Sequence, residues 1–139
     1  MQIAATCEKL QIERPPSEKV TERRLPGQVA ERQTEEAIEW CECLIDIGAA
    51  LFNVSSKELR RTGRTAQDVS RVRQIAMYVG HVVLGLSMSD IGKGFSRDRT
   101  TVMYACHLIE DLRDVEEFDR VVAMMERVVL AAFRHRLER

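Results

Sequence analysis

The sequence predicts an all-α fold, a helical bundle, on three observations. Apolar residues recur at i, i+3, i+4 and i+7 along most of the chain after residue 33. Thr34, Ser55 or Ser56, Asp68, Ser87 and Asp98 stand where such segments start, and each can accept from the free N–H groups of a first helical turn. Nowhere do apolar and polar residues alternate at the two-residue period of a half-buried strand.

The elements follow in order. Residues 1–33 hold all three prolines (Pro15, Pro16, Pro26) and show poor periodicity, so they read as a flexible N-terminal arm. Residues 34–139 read as the helical domain. Thr34 to Leu51 predicts a helix with Glu35 and Glu36 in its first turn, where the dipole favours negative charge. A short turn through Leu59 follows, then the basic loop Arg60-Arg61-Thr62-Gly63-Arg64-Thr65. Asp68 opens a helix to about Leu84, with Val69, Val72, Ala76, Val79 and Val83 on one face and Arg71, Arg73 and Gln74 mostly off it. Gly85 suits the left-handed residue after a helix end. Ser87 caps a short helix to about Gly94, and Phe95-Ser96-Arg97 forms a turn. Asp98 caps a helix to about Leu112 with Val102, Ala105, Ile109 and Leu112 inward. A last helix runs from about Glu116 to Leu137.

With 139 residues the chain has the size of one domain. No apolar run is long enough to cross a bilayer, and the start has no apolar segment of the signal-peptide kind. The expected location is cytoplasmic, which makes reduced thiols of the four cysteines. Cys41 and Cys43 point about 200° apart on a helix and have no completing ligands, so no metal site is expected. No nucleophile, base and orienting acid form a catalytic arrangement, so no enzyme activity is expected.

The formal net charge of −1 hides an uneven distribution. Residues 1–56 carry six basic and ten acidic side chains, residues 57–109 nine and four, and residues 110–139 six and eight. The basic charge thus lies in the middle of the chain, as a phosphate-binding face requires.

Residues 87–113 have the anatomy of a helix-turn-helix: a short helix, a tight turn, and a longer helix that starts with Arg99, Thr100 and Thr101. In such motifs the first turn of the second helix enters the major groove. Arg99 can donate twice to guanine, and a threonine methyl can pack on a thymine methyl.

Phe52 to Arg113 resembles the C-terminal DNA-binding domain of the bacterial replication initiator DnaA. The residues that carry the likeness are Arg71-Val72-Arg73-Gln74-Ile75-Ala76-Met77, Ile91-Gly92 with Phe95, and Arg97-Asp98-Arg99-Thr100-Thr101-Val102 followed by Ala105-Cys106. The resemblance implies a Trp-repressor-like helix-turn-helix and double-stranded DNA as partner. It assigns Asp98, Arg99, Thr100 and Thr101 to the reading edge, beside Arg97. It puts Arg73 and Gln74 on phosphate or a base, and His81 where the family often has a phosphate-contacting lysine. It matches Arg60, Arg61 and Arg64 to a basic loop that reaches into the minor groove, which arginine suits on electrostatic grounds. Four departures stand out, the first being Thr65 after Arg64 in place of a denser run of basic residues. Arg99 stands where the signature has histidine, Phe95-Ser96-Arg97 is one residue shorter than the usual turn, and Val72 replaces a proline.

The sequence contains no G-x-x-x-x-G-K-[ST] phosphate loop. The expectation is therefore a stand-alone reading domain with no nucleotide and no cofactor. The leading function is a nucleoid-associated, sequence-specific regulator of transcription. One alternative is a replication regulator that competes for the initiator's sites, and another is a helical protein-interaction module. The last helix bears a broad apolar stripe (Phe118, Val121, Val122, Met125, Val128, Val129, Ala132, Phe133) that closes the core on the first reading. Its surplus, Met124 and Leu130, leaves a homodimer through this helix as a second expectation.

Overall fold

The computed structural model describes residues 26–138, which form six helices and no strand. They are α1 (Pro26–Phe52), α2 (Ser56–Arg60), α3 (Gln67–Val82), α4 (Met88–Phe95), α5 (Arg99–Leu112) and α6 (Glu116–Leu137). The all-α reading thus holds for the described residues. The expected arm lies outside them as far as residue 25, and its last eight residues belong to α1. Helix α1 starts at Pro26 and not at Thr34, because proline costs nothing in a first turn, where its missing N–H has no partner to lose.

Helix α3 is the centre of the bundle. Val69, Val72, Ile75, Ala76, Met77, Tyr78, Val79, Gly80 and Val82 are all buried, so α3 is covered almost all round. It packs against α1, α2, α4, α5 and α6. Helix α6 closes the bundle with Val122, Met125, Val129 and Phe133, and Phe133 meets Trp40 of α1 edge-to-face at 5.2 Å. The first reading of the last helix, as a lid on the core, is what the structure shows.

The helix ends are made by local chemistry. Ser87 Oγ accepts from the Asp90 N–H at 3.1 Å, the cap expected for α4. Helix α1 ends on Asn53 in the left-handed conformation, with the Val54 N–H donating to Ala49 O at 3.1 Å. Asp68 does not cap α3. It lies within the first turn, one residue after Gln67, and its carboxylate accepts from the Val69 N–H. Asp98 holds the N-cap position of α5 but makes no side-chain cap bond.

The turn between α4 and α5 is closed by two bonds. The Arg97 N–H donates to Gly92 O at 2.8 Å and the Ser96 N–H to Lys93 O at 3.4 Å. This is a Schellman ending, and its left-handed residue is Ser96, at φ 55° and ψ 47°. Gly92 is needed for it, because a Cβ there would lie 2.6 Å from Arg97 O. A side chain at a left-handed position is strained by about 1–2 kcal/mol, which glycine avoids. Ser96→Gly is therefore expected to raise stability by about 1 kcal/mol, read as a higher urea midpoint at an unchanged slope.

A charged cluster ties the far end of α5 to α6. Arg113 Nε donates to Asp119 Oδ1 at 2.6 Å, and its Nη1 donates to Glu126 Oε1 at 2.7 Å and to the Tyr78 hydroxyl at 3.3 Å. The Tyr78 hydroxyl donates in turn to Glu110 Oε2 at 2.9 Å. Glu126 is 4% exposed, and its second oxygen has no hydrogen-bond partner. Burial pushes its carboxyl above the usual range, with Arg113 pulling the other way.

Candidate nucleic-acid interface

Helix α5 shows how its sequence divides. Val102, Ala105, Cys106 and Ile109 are buried against the bundle. The opposite face carries Thr100, Met103, Tyr104 and His107, all exposed. Asp98, Arg99, Thr100 and Thr101 all lie exposed at the N-terminal end. There the first N–H groups of the helix have no carbonyl above them, and the dipole is positive.

This end of α5 does not stand alone. Thr62, Gly63, Ser89, Gly92, Lys93, Ser96, Arg97, Asp98, Arg99 and Thr101 line one open concavity of about 520 Å³. It joins the loop before α3, the outer side of α4 and the first turn of α5. Lys93, Arg97 and Arg99 are its charged bases, against the single acid Asp98.

The loop is held beside α5 by two arginines. Arg97 Nη2 donates to Arg61 O at 2.7 Å, which bridges the helix-turn-helix turn to the loop. Arg73 works from the other side. Its Nε donates to Leu59 O at 2.9 Å, its Nη2 to Glu58 O at 3.1 Å and its Nη1 to Thr65 Oγ1 at 3.4 Å. Between these anchors Arg61, Thr62, Gly63 and Arg64 are exposed, and Gly63 takes φ 94°.

The structure thus changes the roles of several expected contacts. Arg73 is not off the buried face. It is 6% exposed, with its donors engaged on two carbonyls and a hydroxyl, so it holds the loop. Burial, then the nearby Arg97, lowers its pKa from the ordinary arginine value. Arg60 pairs with Glu42 and Asp46 and pins α2 to α1, with Nε 2.9 Å from Glu42 Oε2. It is therefore turned to α1 and away from the loop tip. The Glu42 hydrogen bond, chiefly, raises its pKa. Gln74 Oε1 accepts from Arg71 Nη1 at 3.1 Å and stays half-buried on α3. His81 Nδ1 lies 2.9 Å from Leu86 O. Against a carbonyl this nitrogen is the donor, so that N–H is committed to Leu86 O past the end of α3.

Lys93 and Tyr104 carry no signal in the helix-turn-helix pattern as such. Helical spacing finds Tyr104, which is four residues after Thr100 and on its face. It is 64% exposed, unusual for a large aromatic side chain. Lys93 becomes visible only when α4 is placed beside α5.

The model of the bacterial DnaA protein helix-turn-helix family matches residues 41–109, from the middle of α1 almost to the end of α5. Residues 41–109 form a DnaA-type helix-turn-helix domain. The chain is 37% identical over 87 residues to the chromosomal replication initiator protein DnaA of Mycobacteroides abscessus, covering 61% of this chain and 18% of that protein. It therefore spans less than a fifth of the length of that relative. A solved structure titled replication initiator DnaA bound to AMPPCP and single-stranded DNA has the same fold, with a TM-score of 0.63 at 23% identity. That match covers 75% of this chain and 32% of the other. The DnaA-type domain is a DNA-binding module, and the concavity at the start of α5 lies inside it. Helix α6 lies beyond the residues that the family model matches.

Among the described residues no helix is long and apolar enough to cross a membrane, and no cluster of His, Cys, Asp and Glu could hold a metal ion. Cys41, Cys43 and Cys106 are free. Burial pushes the Cys41 thiol up to about 12 and that of Cys106 up to about 11, so both stay protonated.

Proposed function

We propose that this chain is a sequence-specific regulator of transcription that reads the major groove of double-stranded DNA with the first turns of α5. The observation that carries the reading is the joint exposure of Asp98, Arg99, Thr100 and Thr101 beside the loop tip at Arg61 and Arg64. A duplex laid on the concavity meets base edges at α5 and backbone at Lys93 and the loop. Asp98, with no cap bond to its own helix, is an acceptor for a cytosine or adenine amino group.

Selection of duplexes from a random pool tests this. The expected result is one enriched motif bound at physiological salt. Equal affinity for every duplex would overturn it. A competing reading, replication control at the initiator's own sites, is favoured by the 37% identity to DnaA. It requires the enriched motif to be the initiator's box. Arginine at position 99 favours a guanine-containing site instead.

Three further results follow from the geometry. Arg64→Ala is expected to lower the slope of log K against log salt by about one, as loss of one phosphate contact does. Arg73→Ala should leave that slope unchanged and lower the melting temperature, since its guanidinium faces carbonyls. Tyr104→Ala is expected to weaken specific binding by about 1 kcal/mol, with Tyr104→Phe showing whether ring or hydroxyl matters. Gel shifts over a salt series, with calorimetric melting, check all three variants.

A further inference from the structure

We propose that α6 pairs with α6 of a second copy of this chain, antiparallel, through the face that it turns away from the bundle. The inference rests on α6, beyond the residues that the family model matches, and is independent of the DNA reading.

Helix α6 buries Val122, Met125, Val129 and Phe133 inward, yet its outer face mixes apolar side chains with its charges. Met124 is 41% exposed and Val128 37%, with Ala131 exposed one turn further on. Met124, Arg127, Val128, Leu130, Ala131 and Arg134 together line an open concavity of about 460 Å³. The spacing of these six decides its meaning. Residues 124, 127, 128 and 131 stand at i, i+3, i+4 and i+7, and so do 127, 130, 131 and 134. Each set is the four-residue hole that receives a side-chain knob from a facing helix. All six residues come from one helix, so the feature is a helix-docking groove and not a pocket for a small molecule.

Charge selects the occupant and its direction. Glu116 and Glu117 are exposed at the start of α6, and Arg134, His135 and Arg136 are exposed at its end. Among the described residues neither Glu117 nor Arg134 has an ion pair, whereas Glu116 already pairs with Arg120 at 2.7 Å. A parallel copy would set like charges against each other. An antiparallel copy with its two-fold axis near residue 126 sets Glu117 opposite Arg134 at both ends, and Met124 opposite Arg127 and Val128 in the middle. It also opposes the two helix dipoles. Such a contact is isologous and closes at two copies.

Sedimentation equilibrium of the full chain, from low micromolar to submillimolar concentration, tests the pairing. The expected result is a reversible dimer. Val128→Glu should give a monomer with an unchanged helical circular-dichroism signal, since that side chain is outside the core. Glu117→Arg and Arg134→Glu should each weaken the dimer several-fold, and the double variant should regain the original affinity. A wild-type chain that stays monomeric throughout overturns the proposal. So does a dimer that survives Val128→Glu, or a double variant no tighter than the singles.

Discussion

Arg113→Ala is expected to destabilise the protein by about 3–5 kcal/mol, the usual cost of removing one partner of a buried ion pair. The arginine side chain is 14% exposed and stands between Glu126 and Asp119. Its removal leaves Glu126 without a cation in a site where one carboxylate oxygen already lacks a partner. The folded-state pKa of Glu126 is already raised by burial, and loss of Arg113 raises it further. A carboxyl with a raised folded pKa favours the native state below its unfolded pKa, and this stability is lost as pH rises through the folded value. The deficit of the variant relative to wild type should therefore be smaller at about pH 5 than at about pH 7.5. Urea unfolding at the two pH values measures it. A deficit below about 1 kcal/mol at both would show that the cluster is not a structural pair. Tyr78 sits in the same cluster, so α3, α5 and α6 should loosen together.

Arg99→Ala is expected to lower affinity for the selected duplex by about 1–3 kcal/mol, or about 5- to 150-fold, with a much smaller effect on unrelated DNA. The side chain is exposed at the first position of α5, and a guanidinium there can donate twice to the O6 and N7 of one guanine. Lysine keeps the charge but not the planar fork, so Arg99→Lys should keep non-specific binding and lose most of the discrimination. Arg99→His, which restores the residue of the DnaA signature, should move the preference at that base pair away from guanine. Gel shifts with the selected motif and with single-base variants read all three. An unchanged preference at every position in Arg99→Ala would remove Arg99 from the reading edge.

The parts that were legible in the sequence depend on local rules. The inward face of α5 and the Ser87 cap follow from helical spacing and from the first-turn N–H groups of a helix. The start of the reading helix at Arg99 follows from the same logic. The motif around Asp98 to Thr101 and Ala105-Cys106 carried the DnaA resemblance without any knowledge of packing. Several basic side chains are long enough to choose between water and a neighbour, and the sequence does not mark which they take. Arg60, Arg73 and His81 read as DNA contacts through the DnaA resemblance, and a basic residue has no sequence mark for what it touches. In the fold each has a carboxylate or carbonyl within reach, and a buried donor that left it would lose that bond. The start of α1 at Pro26 was missed for a related reason: poor apolar periodicity does not forbid a helix, it only removes the signal.

The sequence by itself determined the fold class, the DnaA-type motif and the start of α5, because periodicity, capping and motif spacing act over a few residues. Only the tertiary structure decided which basic residues remain available to a phosphate. That choice depends on carbonyls and carboxylates from α1, α2 and the turn before α5, up to 36 residues away in the chain. It also turned Arg97 and Arg73 into the clamps that hold the loop beside α5. Arg73 donates to the Leu59 and Glu58 carbonyls and Arg97 to the Arg61 carbonyl, charge-assisted bonds that stand in for those each guanidinium would make to water.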